Sequence, residues 1–347
     1  MATLVLELND AEIRAALGDE VVAVEPGYAL LDGETLVTGI EAVRAVRLKP
    51  RQVFDRFWAD LNQAPLPRPH PRAGSLADLA FAQLSSLWSR FGAGVDEVVF
   101  VVPGSYRRDQ LGLLLGMAEA CGIPARGLVD AAVASSQRRY PGRTLAHIDA
   151  GLHGVVVTLL GQDDGVSRQT VESTATVGLS ALRERWLAAI ADTFVIQTRF
   201  DPLHDAEAEQ ALFDHLPASL EALRQRDATR IEVEIRGVRL GAELKRSDLA
   251  AAADDLYASL VALLRLVHPA DSPLVLQVSH RLAHLPGLLE KLAESSDLET
   301  VLVSPEAACE GALSRLDEIR TRDGREFVRR LSWTTGAQAG EHGAQAK

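Results

Sequence analysis

The sequence predicts an α/β fold built partly on parallel strands, and two stretches carry that prediction. Val98 to Val102 is an unbroken β-branched and aromatic apolar run, stopped by Pro103-Gly104. Such a run suits a strand buried on both faces of a sheet. A helix follows, with Asp109 as its cap and Leu111, Leu114, Leu115 and Ala118 at helical spacing; Gly122 and Pro124 end it. Gly127 to Val129 reads as a short strand, and Asp130 opens a second, small-residue helix. The short connections make the two strands parallel, with a right-handed crossover. The second stretch repeats the succession: a strand at Leu274 to Val278, a turn at Ser279 to Leu282, a helix from Leu285 to Ala293 and a strand from Leu298 to Val303.

The remaining elements are read in chain order. Leu4 to Leu8 is a strand, Ala11 to Leu17 is helix-like, and Glu20 to Glu25 is a second strand. Tyr28 to Leu31 and Leu36-Val37 flank a hairpin signal at Asp32-Gly33-Glu34, and a short helix opens at Gly39. Four prolines between residues 62 and 75 predict an extended loop. Leu76 to Phe91 is an amphipathic helix. Thr144 to Asp149 and Val155 to Leu160 form a hairpin around Gly151-Leu152-His153-Gly154. A helix from Leu179 to Phe194, an acidic helix to about Leu216, an alternating strand from Arg230 to Ile235, a turn at Gly237 and a long helix from Ser247 to about Val267 follow. The segment from Gly336 has little to bury and reads as disordered.

At 347 residues the chain has room for two or more cores. Its 47% hydrophobic content is that of a soluble globular protein. No apolar run reaches membrane-spanning length and no signal segment follows Met1, so a cytoplasmic location without membrane insertion is expected. The net charge of −12 argues against broad nucleic-acid binding. Of 36 basic residues only Lys49, Lys245, Lys291 and Lys347 are lysines. Cys121 and Cys309 stand far apart among small apolar residues and read as buried thiols.

The central stretch resembles the nucleotide-binding domain of DnaK-type heat-shock chaperones. Those proteins carry a strand ending V-P-A-Y, then a helix, A-G-L, and N-E-P-T-A-A-A. Val102-Pro103-Gly104-Ser105-Tyr106, Cys121-Gly122-Ile123 and Asp130-Ala131-Ala132-Val133-Ala134 stand in those places in the same order. Ser304 to Ala312 is similar to the family's P-x-x-A-V-A-x-G-A-A helix start, where small residues permit close helix packing. The resemblance implies a two-lobed, actin-like α/β fold: residues 1–143 as the first lobe and 144–335 as the second, with an upper insertion at about 195–245. The chaperones' peptide-binding domain has no counterpart in the sequence.

The resemblance also implies a cleft for ATP or ADP with Mg²⁺, and this chain departs from the family there. The first phosphate loop, D-x-G-T-T, becomes Glu7-Leu8-Asn9-Asp10-Ala11, without its glycine and threonines. The second keeps Asp149, Gly151 and Gly154 but loses the central glycine and the threonine; Gly178 matches a glycine before the next helix. The family's lysine falls near Phe57, with Arg56 the nearest cation, and its glutamate becomes Asp130. The adenosine turn becomes Val278-Ser279-His280-Arg281, and Glu221 and Arg224 stand on the purine-contacting helix. Glu7 and Asp149 are thus the implied metal ligands, and Glu7, Asp130, Asp149, Gly151, Gly154, Gly178, Glu221, Arg224 and Arg281 the implied nucleotide contacts. Each lost glycine removes a close backbone approach to phosphate. The expectation is a pseudo-ATPase of chaperone type that binds nucleotide weakly or not at all and acts on a protein partner. An ATPase with a rewired cleft, and an actin-like scaffold of a cell-division or pilus-type assembly, are the alternatives.

Other motifs point to no chemistry. His280 and His284 are four apart but lack a third ligand. His147 and His153 flank the second loop and read as exposed bystanders. Seven basic residues between Arg44 and Arg72 read as a solvated face, with an acidic partner or RNA as the alternative.

Overall fold

The computed structural model describes residues 1–235, 237–268, 272–294, 297–321 and 324–334. The fold is mixed α/β and holds two six-stranded sheets among these residues. In the first, the strands run in the order Glu20–Glu25, Ile13–Leu17, Thr3–Glu7, Glu97–Val102, Ala125–Asp130, Phe327–Val328. In the second, Gly165–Thr174, Val155–Gly161, Thr144–Ala150, Leu274–Val278 and Leu298–Leu302 follow one another, and Arg330–Ser332 is added outside Gly165–Thr174. Both sheets therefore begin as a three-stranded antiparallel meander, and both continue from its first strand into two parallel strands.

The central strands explain themselves. Every residue of Thr3–Glu7, Glu97–Val102 and Leu274–Val278 is buried, as parallel strands covered on both faces must be. The connecting helices Arg108–Ala120 and Ala131–Ser135 follow the two strands of the first parallel pair. Asp130 caps the second of these: its Oδ1 accepts from the Ala132 and Val133 amides at 3.0 and 3.2 Å. Asp109 does not cap the first. The N-cap is Arg107, and Asp109 lies in the exposed first turn, paired with Arg107.

One apolar cluster is shared by both sheets. Val5, Val99, Val101 and Val129 of the first pack with Leu145, Leu160, Val166 and Val275 of the second, around the helices Ala131–Ser135 and Ala307–Leu313. Small residues let those helices nearly touch: a side chain at Gly311 would overlap the Ala134 carbonyl. Close packing at Gly311 is what the sequence pattern of residues 304–312 predicts.

Several elements differ from the reading of the sequence. Ala11 to Leu17 is not helix-like; Ile13–Leu17 is the middle strand of the first meander, turned back by Gly18 at φ +59°. Its alanines have little intrinsic β preference, and burial between two partners overrides it. The proline-rich loop contains a small hairpin, Pro65–His70 with Ala73–Ser75. Gly165–Thr174 is a strand the sequence hides because its residues are mostly polar and it lies toward the sheet's edge. The long helix from Ser247 is two, Arg246–Ala252 and Asp254–Val267, and the turn after Val278 is the one-turn helix His280–Ala283. The segment expected to be disordered from Gly336 lies outside the described residues. Among those residues, no helix is long and apolar enough to cross a membrane.

Candidate functional site

The first strands of the two meanders end side by side. Thr3–Glu7 delivers Glu7 and the following Asn9-Asp10 turn, and Thr144–Ala150 delivers His147 and Asp149. Asn9 Nδ2 joins the two ends, donating to Asp149 Oδ2 at 3.0 Å and to the Ala150 carbonyl at 3.1 Å. The helix after Leu274–Val278 brings Arg281 between the carboxylates. Its Nη2 donates to Glu7 Oε1 at 2.7 Å, and its Nη1 to Asp149 Oδ2 at 3.0 Å and Oδ1 at 3.2 Å. The Arg281 side chain is 2% exposed. Glu12 completes the cluster, with Oε2 3.8 Å from Arg281 Nε and accepting from His280 Nε2 at 2.8 Å.

The charges account for one another. Burial alone would lower the Arg281 pKa, but Asp149, Glu7 and Glu12 outweigh it and hold the guanidinium above its ordinary range. Burial would raise the Asp149 carboxyl, yet Arg281 holds it below the usual carboxylate range. Glu12 is likewise lowered against its burial, by His280 and Arg281.

The glycine turn of the second sheet is filled by protein groups. The Gly151 amide donates to the Gly154 carbonyl and the Leu152 amide to Asp10 Oδ1, both at 2.8 Å. The carbonyls of Gly151 and Leu152 accept from Leu179 and Ser180 at the start of the next helix. Each glycine is required by close approach. A side chain at Gly151 would overlap the Asp10 carboxylate, one at Gly154 would meet the Thr174 carbonyl at 2.7 Å, and one at Gly178 would meet the Gly154 nitrogen at 2.6 Å.

The other implied contacts sit apart from Arg281's cluster. Asp130 Oδ2 accepts from Arg168 Nη1 at 3.1 Å; that same nitrogen donates to the Gly104 carbonyl at 2.9 Å, and the guanidinium stacks 5.0 Å from the Phe327 ring centroid. Burial raises the Asp130 carboxyl despite Arg168. Glu221 and Arg224 pair with each other at 2.7 Å on an exposed helix face, and both act electrostatically on His284. Phe57 is core, and Arg56 pairs with Asp60 at the surface.

Sequence reasoning missed Asn9, Asp10, Glu12, Arg168 and His280. The signal for the first three was their place, directly after the strand that ends at Glu7. His147 is no exposed bystander: it is 4% exposed, and burial pulls its pKa down to about 4.

A cavity of about 260 Å³ opens beside this cluster, lined by Asp10, His147 and Asp149 and by Trp58, Gly104 and Tyr106. Elsewhere, Arg47 joins segments far apart in sequence: it pairs with Glu184 and, at 3.1 Å, with Glu209, and its amide donates to Gln210 Oε1 at 2.7 Å.

No protein-family model matches the chain, and no curated protein matches it significantly. The residues present do not fit a magnesium nucleotide. The two carboxylates implied as metal ligands share a guanidinium, and the Leu152 amide of the turn is taken by Asp10. Among the described residues, no three His, Cys, Asp or Glu side chains are grouped to hold a metal ion.

Proposed function

We propose that the chain is an actin-like protein of DnaK type that works by engaging another protein rather than by hydrolysing nucleotide. The repeated meander-plus-parallel strand order supports the two-lobed reading, since five strands of each sheet follow the same order. The non-hydrolysing part rests on one observation: Arg281 is bound by both Glu7 and Asp149. Hydrolysis in such a cleft needs a positioned water, cradling amides and cations on the terminal phosphate. Here the cation is turned inward and neutralises the protein's own acids.

Thermal melting with and without Mg-ATP, paired with phosphate release, tests this reading. No melting shift and no turnover are expected. An upward shift with turnover above about 0.1 per second, only modestly below ordinary enzymes, would favour an ATPase with a rewired cleft instead.

A further inference from the structure

The cavity holds two polar side chains that the Arg281 network leaves unused. Asp10 is 8% exposed, and its side chain accepts, among the described residues, the Leu152 amide alone, through Oδ1. Among the described residues it forms no ion pair; its nearest positive influences, His153 and Arg281, act on it only at longer range. His147 is buried among the strands, lines the same cavity, and makes no hydrogen bond among the described residues. A buried carboxylate without a cation is costly, as is a buried imidazole without a partner. Both present polar atoms to the cavity, where a bound ligand can engage them in place of water.

The chemistry of that ligand follows from what surrounds it. Of the acids here, Asp10 and Asp149 line the cavity; Asp149 is paired with Arg281, and Asp10 has no cation within ion-pair distance among the described residues. The two arginines that line the cavity offer an anion little: Arg56 is paired with Asp60 and Arg107 with Asp109, all well exposed. The rest of the wall mixes apolar groups, Trp58, Pro103, Val155 and Val156, with neutral polar side chains such as Ser105, Gln110 and Thr158. An unpaired carboxylate and neutral acceptors set among apolar groups suit a cation with a short hydrocarbon body.

We propose that this cavity binds a small primary amine, its ammonium group held by Asp10 and His147. An ammonium carries three donors, which Asp10 Oδ2, a neutral imidazole nitrogen and a remaining Asp149 lone pair can accept. The site does not depend on the protein-interaction reading above.

Titration calorimetry and thermal melting with n-butylamine, n-butanol and butyrate test the proposal on the full chain. Butylamine should bind and raise the melting temperature, and the alcohol and the acid should not. Asp10→Asn keeps the acceptor for the Leu152 amide, so it should fold as before and bind butylamine at least tenfold more weakly. His147→Gln should weaken binding while leaving the preference for amine over alcohol. Binding should also weaken on acidification, because burial raises the Asp10 carboxyl and a protonated acid holds no ammonium. Equal binding of butanol or butyrate, unchanged affinity in a folded Asp10→Asn, or no binding of butylamine at millimolar concentration would each overturn the proposal. Phosphate release from Mg-ATP together with no stabilisation by butylamine would overturn both this site and the non-hydrolysing reading.

Discussion

Arg281 Nη2 donates to Glu7 Oε1 at 2.7 Å across 274 positions of sequence, tying the end of the first strand of one sheet to the helix that follows a parallel strand of the other. Removing the cation should leave Asp149 without its cation and Glu7 with Arg14 Nε alone, 4.0 Å away, among the described residues. Arg281→Met is expected to lower stability by roughly 3–5 kcal/mol, the scale for breaking a buried pair. Adding Glu7→Gln and Asp149→Asn should restore much of the loss. Urea denaturation reads both; a loss below about 1 kcal/mol in the single variant would mean the pair is no clamp.

His147 makes stability depend on pH with a definite sign. Its folded pKa is lowered to about 4 from the ordinary 6.5, so the unfolded chain binds the proton more readily. The contribution is complete above pH 6.5 and is lost as pH falls toward 4. At about 1.4 kcal/mol per unit, roughly 3 kcal/mol is at stake. Asp10 and Asp130, whose pKa values are raised, act in the opposite direction as pH falls. The wild-type minus His147→Gln difference isolates the histidine: it should shrink across this window, and a flat difference would contradict the assignment.

Gly311→Ala should strain the crossing of the two small-residue helices. The added carbon overlaps the Ala134 carbonyl, a backbone atom that cannot swing away. Overpacking of this kind destabilises by about 1–3 kcal/mol. Gly112→Ala, where a side chain meets open space, is the control and should melt near wild type.

Arg315 is a buried cation paired with carbonyls alone. Its Nε donates to Gly311 at 2.8 Å, its Nη1 to Ser136 and Ser332 at 3.2 Å each, and its Nη2 to Ala134. Burial pulls its pKa down to about 10, and Glu318 offsets this only in part. Lysine keeps the charge but not the fork. Arg315→Lys is expected to lose roughly 2–4 kcal/mol through unsatisfied carbonyls, read by chemical denaturation; a melting curve matching wild type would refute it.

The sequence was most legible where strands are buried on both faces. Val98–Val102 is a continuous apolar run and Leu274–Val278 is apolar but for Gln277, and neither has a competing helical period. The meanders were less legible. Ile13–Leu17 owes its state to two flanking strands, and polar Gly165–Thr174 owes its state to Val155–Gly161 and Arg330–Ser332. At the site, Glu7, Asp149 and Arg281 could each be named from the sequence, but not their mutual bonds. Partners 132 and 274 positions apart leave no local pattern. Asp10 was hidden for the same reason: its role depends on the Leu152 amide, 142 positions away.

The strands Phe327–Val328 and Arg330–Ser332 are neighbours in sequence but belong to different sheets. The first lies parallel beside Ala125–Asp130, and the second antiparallel beside Gly165–Thr174. During vectorial synthesis every other strand of both sheets emerges before this pair. A nascent or clipped chain without it would present two almost finished sheets, each with a bare edge able to recruit a strand from another molecule. The pair ends both sheets with strands of two and three residues, too short to offer another molecule much of a template.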